Sequence, residues 1–215
     1  MLVTFFACVV LHELGHCFTA IRYGITVPRI LLLPIGGMAE FDGIPREPRR
    51  ELLITVAGPA VNFVLAALLW LALPRLGAAP GSGPESEIPS LLESAHLLMQ
   101  WNLAMGLFNL LPAFPMDGGR ILRAALATRL PYVRATFWAA TTGKVLCVAG
   151  AGIALFSYQQ PLLAVLFAFI FLVGEMEYRA AKRREIEEAH WRAVLARHFA
   201  SAAAAPAEEP PVLRP

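Results

Sequence analysis

Two histidines and a glutamate stand close together near the start of the chain, in the segment His-Glu-Leu-Gly-His at residues 12–16. On a helix, His12 and His16 lie on one face about one turn apart, so both imidazoles can bind a single ion. Glu13 lies at the edge of that face, where it can reach a metal-bound water molecule rather than the metal. This HExxH pattern is typical of two zinc ligands and a general base.

The motif lies in an apolar run from about Leu2 to Tyr23 that is long enough to cross a membrane. Ionisable groups inside such a segment are costly and rarely persist without a role. A chance pair of polar residues on a helix is the alternative interpretation, and this setting weakens it. A divalent cation would compensate for placing three such groups in an apolar helix.

A hydrolytic zinc site takes three protein ligands and keeps one position for water, so a third ligand must lie elsewhere in the chain. It should lie at the depth of the first motif, near the end of another apolar segment. Asp117 is the acidic residue in such a place, after Pro112 and Pro115, which break the helix, and before the pair Gly118-Gly119, which permits a tight turn. A surface aspartate in a helix-terminating loop remains the alternative at this point.

The elements that must position these residues are membrane helices. The chain of 215 residues is 57% hydrophobic and only 16% charged, whereas a soluble domain is about 25% charged. We expect an all-α membrane protein, a polytopic helical bundle of about five transmembrane helices. Its apolar segments are 2–23, 52–73, 91–111, 135–158 and 162–176, the last preceded by Pro161 as a helix start.

The stretch Ile30–Asp42 is apolar but too short to span, and it contains Pro34 and the pair Gly36-Gly37. We expect a short re-entrant or β-like membrane-inserted segment here. Irregular backbone at membrane depth is tolerated only where protein or a water-filled cavity covers it. The sequence therefore indicates a cavity near this segment.

Lys and Arg alternate between rich and poor connections along the chain, which predicts orientation. The basic connections follow the first, third and fifth apolar segments. We therefore expect a multi-pass protein of the cell membrane with the HELGH site toward the cytoplasm and a cytoplasmic C-terminus. We divide the chain into a membrane core (1–178), a charged cytoplasmic helix (179–200) and a disordered tail (201–215).

The composition also bears on other function classes. The net charge of +2 and the absence of interleaved aromatic and basic residues argue against nucleic acid as a partner. Cys8, Cys17 and Cys147 lie in apolar runs without a CxxC spacing, which favours packing over redox chemistry. The oligomeric state cannot be inferred from these features.

Two motifs together carry a family resemblance: His-Glu-Leu-Gly-His at 12–16 and Asn-Leu-Leu-Pro-Ala-Phe-Pro-Met-Asp-Gly-Gly at 109–119. They match the patterns HExxH and NxxPxxPxDG, and over residues 1–178 the chain resembles the site-2 protease family of intramembrane zinc metalloproteases. Residues 58–62 and 33–41 resemble further elements of that family. Its members usually have a transmembrane helix before the HExxH helix, and only eleven residues precede His12, so we expect that helix to be absent or the start to be truncated.

The resemblance implies one Zn²⁺ per chain held by His12, His16 and Asp117. It implies Glu13 as the catalytic base, with Asn109 assisting substrate binding or polarisation. Its substrates would be transmembrane proteins within the lipid bilayer, cleaved within or near their membrane segments. The alternatives are a non-proteolytic membrane metal-binding protein (a transporter or sensor) and an inactive scaffold homologue.

Other polar residues receive different predictions. His96 lies in the outward half of the third segment and indicates a helix contact rather than a ligand. His190 and His198 belong to the charged tail and are expected at the surface. Asn62 should face the bundle interior, either in a helix–helix hydrogen bond or in support of the site.

Overall fold

The structure is a computed structural model that describes residues 2–27, 29–33, 36–40, 47–76 and 91–204. Within these ranges six helices and two strands follow one another along the chain. They are α1 (Leu2–Arg22), β1 (Arg29–Leu33), β2 (Gly36–Glu40), α2 (Pro48–Leu76), α3 (Leu91–Asn109), α4 (Asp117–Ala127), α5 (Tyr132–Phe156) and α6 (Pro161–Ala204).

Proline sets several helix boundaries. α2 begins at Pro48 and α6 at the predicted Pro161, while Pro131 directly precedes α5. The fixed φ of proline suits the first helical turn, and the N–H that it lacks would have no partner there. α3 ends at Asn109, ahead of Pro112, as the sequence predicts.

The predicted multi-pass membrane architecture is confirmed, with one difference in the number of spans. In the part of the chain described, α1, α2, α5 and α6 are long and apolar enough to cross a membrane. α3 has 19 residues but does not belong to this group. Its polar side chains, including Glu93, Gln100 and Asn102, lower its mean hydropathy, so four of the five predicted segments qualify as spans by length and composition among the described residues.

The side-chain distribution is that of a membrane protein. Small residues fill many of the described helix contacts, whereas large apolar side chains point outward: Phe156 is 88% exposed and Val3 is 82% exposed. Small side chains let membrane helices approach closely, and van der Waals packing then holds them together. The buried alanines are Ala20, Ala66, Ala95, Ala113, Ala124, Ala135, Ala139, Ala140, Ala154 and Ala181.

α2 is the central helix of the bundle. It packs against α1, α3 and α4, and α4 in turn packs against α5, which pairs with α6. β1 and β2 form a two-stranded antiparallel sheet in which Arg29 pairs with Glu40 and Leu33 with Gly36. This hairpin occupies the region for which a β-like segment is predicted, and β2 lies beside α1.

α6 runs without a break for 44 residues, from the apolar stretch into the charged stretch. The charged residues that follow the fifth apolar segment thus extend that helix. The boundary placed at residue 178 falls within α6 and stays a prediction. Of the predicted tail, residues 205–215 lie outside the described residues.

Candidate metal centre

α1 presents His12 and His16 on one face, as their spacing predicts. Both side chains are buried, and their Nε2 atoms lie 3.2 Å apart. The two rings are nearly perpendicular, at 84°, with centroids 4.9 Å apart. Two buried imidazoles that direct Nε2 lone pairs at one point are stabilised by a cation between them.

The opposite nitrogen of each ring is held by α2. The Nδ1 atom of His12 lies 2.8 Å from the Oδ1 atom of Asn62, and the Nδ1 atom of His16 lies 2.8 Å from the carbonyl oxygen of Ile54. Because both partners are acceptors, Nδ1 carries the proton in each ring. In the neutral form of each ring, Nε2 is then unprotonated and available to a metal.

Asp117 reaches the same point from α4. Residues 110–116 turn the chain back after α3, with the Phe114–Pro115 peptide bond in cis, and Asp117 is the first residue of α4. Its Oδ2 atom lies 3.2 Å from Nε2 of His12 and 3.3 Å from Nε2 of His16. The structure therefore brings together the three residues that the sequence analysis selects as ligands.

The Asp117 carboxylate is buried, and among the described residues Oδ2 has no hydrogen bond of normal geometry. Burial by itself raises the pKa of this carboxyl, but the facing His12 and His16 outweigh it and lower the pKa to about 2. Asp117 is thus an anion at neutral pH, directed at the Nε2 atoms of both histidines.

The distances suit a small tetrahedral cation. Atoms bonded to one zinc ion at about 2.0–2.1 Å in a tetrahedron lie about 3.3–3.4 Å from one another. The three ligand atoms here are separated by 3.2, 3.2 and 3.3 Å. Two neutral imidazoles and one carboxylate also form the donor set of hydrolytic zinc sites, with a fourth position left for water. The residues present therefore fit zinc.

Gly58 of α2 lies directly against this ligand set. A methyl group added to it would be 2.2 Å from Nε2 of His16 and 2.8 Å from Nε2 of His12. Gly15 of α1 is similarly close to α2, because a methyl group there would be 2.8 Å from the carbonyl oxygen of Ala57. Glycine at these two positions lets α1 and α2 approach closely enough for α2 to hold the histidines.

The pair Gly118-Gly119 acts differently from the tight turn that we expect from the sequence. Both glycines lie in the first turn of α4, and they pack against the backbone of the preceding loop. A methyl group on Gly118 would be 2.2 Å from the carbonyl oxygen of Leu111, and one on Gly119 would be 2.7 Å from the backbone nitrogen of Phe114. Their role is to let α4 fold back onto the loop that follows α3.

The two predicted catalytic residues, Glu13 and Asn109, are less buried than the three predicted ligands. Glu13 is half-buried on α1, and its carboxylate interacts electrostatically with His16. Asn109 is half-buried at the C-terminal end of α3, and its catalytic role stays a prediction. His96 bonds within its own helix, to the carbonyl oxygen of Leu92 at 3.3 Å, which agrees with its predicted exclusion from the site.

Arg123 is a structural residue that the sequence analysis misses. It is only 1% exposed, its Nε atom donates to Oε1 of Glu51 at 2.8 Å, and its Nη1 atom donates to Oε1 of Glu177 at 2.7 Å. Its guanidinium also lies over the rings of Phe114 and Tyr132. Arg123 therefore ties α4, the helix that carries Asp117, to α2, α5 and α6.

The comparisons with known proteins agree with this geometry. The sequence matches peptidase family M50 over residues 1–79 and 81–150. Zinc metalloprotease MJ0392 of Methanocaldococcus jannaschii is 40% identical over 182 residues, 85% of this chain and 50% of that protein. A protein of Mycobacterium tuberculosis named Rip3 is 35% identical over 183 residues, 83% of this chain and 44% of that protein.

The fold also matches a solved structure. The site-2 protease from Methanocaldococcus jannaschii aligns with a TM-score of 0.62 and 39% sequence identity, covering 82% of this chain and 76% of that one. The chain spans about half the length of the two curated relatives described above.

Proposed function

The chain belongs to peptidase family M50, and on that premise we propose that it is an intramembrane zinc metalloprotease. It hydrolyses peptide bonds within or near the transmembrane segments of membrane-anchored proteins. The observation that carries the proposal is the buried set His12, His16 and Asp117, whose ligand atoms lie 3.2–3.3 Å apart beside helices that are apolar enough to span a membrane.

Nε2 of His12, Nε2 of His16 and the carboxylate of Asp117 would hold one zinc ion per chain. When bound, zinc supplies Lewis acidity toward a water molecule and toward the scissile carbonyl. The chain contributes a fixed ligand geometry, because Asn62 and Ile54 orient the two rings and α4 fixes Asp117. The surrounding helices limit the access of bulk water, which strengthens the electrostatic interactions at the site.

Glu13 is the general base of this proposal. It is adjacent to His12 in sequence and half-buried on the helix that carries both histidines. Its carboxylate takes a proton from the attacking water and passes it to the leaving amine when the peptide bond breaks. Asn109, at the C-terminal end of α3, supplies an amide donor to the substrate carbonyl; such a donor is typically worth about 3 kcal/mol.

The substrate helix must unwind before attack because its own hydrogen bonds cover the scissile peptide. The β1–β2 hairpin supports a way to hold the unwound segment. Among the described residues the sheet has two strands, so within that part of the chain β2 (Gly36–Glu40) has one edge that β1 does not pair, and β2 lies beside α1. An extended substrate can add to that edge. Met38→Pro or Ala39→Pro should then abolish cleavage with zinc retained, and unchanged cleavage would disprove this step.

The topology of this proposal follows the charge pattern. The protein is a multi-pass protein of the cell membrane, with its active site toward the cytoplasmic side and a cytoplasmic C-terminus. Arg120, Arg123, Arg129 and Arg134 lie between the start of α4 and the first turn of α5, at the same end of the bundle as Asp117. An excess of basic residues marks cytoplasmic connections. Labelling a cysteine introduced after Ala200 from each side of sealed vesicles tests the orientation.

The central experiment measures zinc content and cleavage of a model transmembrane peptide by the same preparations. Wild type should bind one zinc ion and cleave the peptide. Glu13→Gln should bind zinc and lose cleavage, because only the base is removed. Glu187→Gln, an exposed change on α6 with the same chemistry, should behave as wild type. Wild type that binds zinc yet cleaves no membrane peptide would favour a metal-binding protein or an inactive scaffold instead.

A further inference from the structure

We propose that a cavity between α4, α5 and α6 binds the phosphate group of an anionic ligand, with a phospholipid headgroup as its source. The cavity has a volume of about 210 Å³, which is large enough for a phosphate group together with several water molecules. It is separate from the metal centre and does not depend on proteolysis. It is lined by Arg120, Arg123, Tyr132, Glu177, Ala180, Ala181 and Arg184.

The charge of the lining favours an anion. Three arginines face one lining carboxylate, that of Glu177, and Glu177 is already bonded to Arg123 at 2.7 Å. The second acid near Arg123 is Glu51, which also binds it, at 2.8 Å. Both carboxylates are thus engaged by the buried arginine.

Arg120 and Arg184 provide the charge for a ligand. Among the described residues neither has an ion pair within 4 Å or a hydrogen bond from its side chain. They lie on different helices, α4 and α6, and both line the cavity. Guanidinium groups bind phosphate through paired, charge-assisted hydrogen bonds. Two arginines on opposite walls therefore provide donors that can bind a phosphate group from both sides.

The walls of the cavity are held in place without a ligand. Arg123 is 1% exposed and is bonded to acids of two other helices, so the α4 side cannot collapse inward. On the α6 side, Ala180 and Ala181 lie between Glu177 and Arg184, and their short side chains leave space open. The cavity is thus open because Arg123 is held on its α4 side by buried ion pairs and two alanines line the middle of its α6 side.

The position along the helices favours a lipid as the source of the phosphate. α5 begins at Tyr132, and the apolar stretch of α6 gives way to charged residues between Glu175 and Arg184. The cavity therefore lies at the end of the apolar spans, at the level where phospholipid headgroups meet the protein. Basic pockets between membrane helices at this level are suited to anionic headgroups.

The test compares lipid binding by matched arginine variants of the full-length protein. Native mass spectrometry of protein in micelles containing phosphatidylcholine and phosphatidylglycerol measures the phosphatidylglycerol that stays bound. The double variant Arg120→Gln/Arg184→Gln should retain about one tenth of the phosphatidylglycerol that the wild type retains, or less. Arg192→Gln/Arg197→Gln removes the same charge from the exposed part of α6 and should bind as wild type. Equal losses in the two double variants would overturn the proposal, since charge alone would then explain binding.

A second variant tests the shape of the cavity. Ala180→Leu keeps every charge and narrows the α6 wall at an exposed helical position, so it should fold and still lose phosphatidylglycerol. Retention of the lipid by this variant would contradict the cavity as the binding place. A separate experiment measures the thermal stability of the protein in lipid-free detergent with added inorganic phosphate. Two results together would overturn a lipid as the source of the phosphate. Phosphate would stabilise the wild type against heat but not Arg120→Gln/Arg184→Gln, and the wild type would not retain phosphatidylglycerol selectively. Free phosphate would then be the ligand.

Discussion

The Nδ1 atom of His12 lies 2.8 Å from the Oδ1 atom of Asn62, a residue that is fifty positions away in sequence and fully buried. This contact fixes which nitrogen of the imidazole carries its proton and which way the ring faces. It also explains why a polar side chain occupies the middle of α2, where it would otherwise be costly.

Replacing Asn62 with Ala should lower zinc affinity by about 10–100-fold, because the buried Nδ1–H of His12 then has no acceptor and the ring loses its orientation. Competition with a fluorescent chelator measures the affinity. Asn102→Ala is the matched control, since Asn102 is equally buried but bonds to Leu98 and Cys8 rather than to a histidine. Equal zinc affinities in the two variants would show that Asn62 does not position the site.

Gly58→Ala should abolish stoichiometric zinc binding, because the added methyl group would lie 2.2 Å from Nε2 of His16. Gly152→Ala is the control: Gly152 lies within α5, and a methyl group there meets no atom within 4 Å. Elemental analysis of purified protein gives the zinc content. Full zinc content in Gly58→Ala would mean that α1 and α2 can separate without disturbing the ligands.

Asp117→Ala should remove the zinc-dependent part of the thermal stability. For the wild type, free zinc at about 100 times its dissociation constant should stabilise the fold by about 2.7 kcal/mol, since zinc binds only the folded chain. Melting temperatures with added zinc and with a chelator measure the difference. A variant that retained the zinc-dependent shift would show that Asp117 is not a ligand, whereas Glu187→Ala should retain it.

Glu51→Gln should cost more stability than Glu177→Gln, although both acids bind Arg123. The Glu51 side chain is 2% exposed and that of Glu177 is 36% exposed. Breaking a buried ion pair costs about 3–5 kcal/mol, whereas a solvent-exposed pair is worth about 1 kcal/mol or less. Denaturant unfolding in detergent compares them. Equal losses would mean that water reaches the Glu51 side of Arg123.

The histidine pair could be predicted because its signals are local: His12 and His16 follow helical spacing, and hydropathy places them in a membrane segment. Asp117 needed more than local signals. The alternation of basic connections along the whole chain narrows the depth at which a third ligand can lie, but it leaves a surface aspartate as an alternative. The resemblance of residues 109–119 to the second motif of the site-2 protease family implies the ligand role of Asp117.

Arg123 could not be found in this way. In the sequence it is one of several arginines in a basic connection, and no nearby residue distinguishes it from Arg120. Its burial depends on Glu51 and Glu177, which are 72 and 54 positions away. The packing role of Gly118 and Gly119 escapes prediction for the same reason, because their sequence favours a turn equally well. Such features depend on how the helices pack, and packing has no short-range pattern.

The close contact of α1 and α2 at Gly15 and Gly58 also has a mechanical consequence. The two helices are in close contact beside the histidines, so this point would act as the fulcrum of a scissor-like motion between them. Displacement in such a rotation grows with distance from the fulcrum. Such a rotation would therefore move the outer ends of α1 and α2 further than His12 and His16.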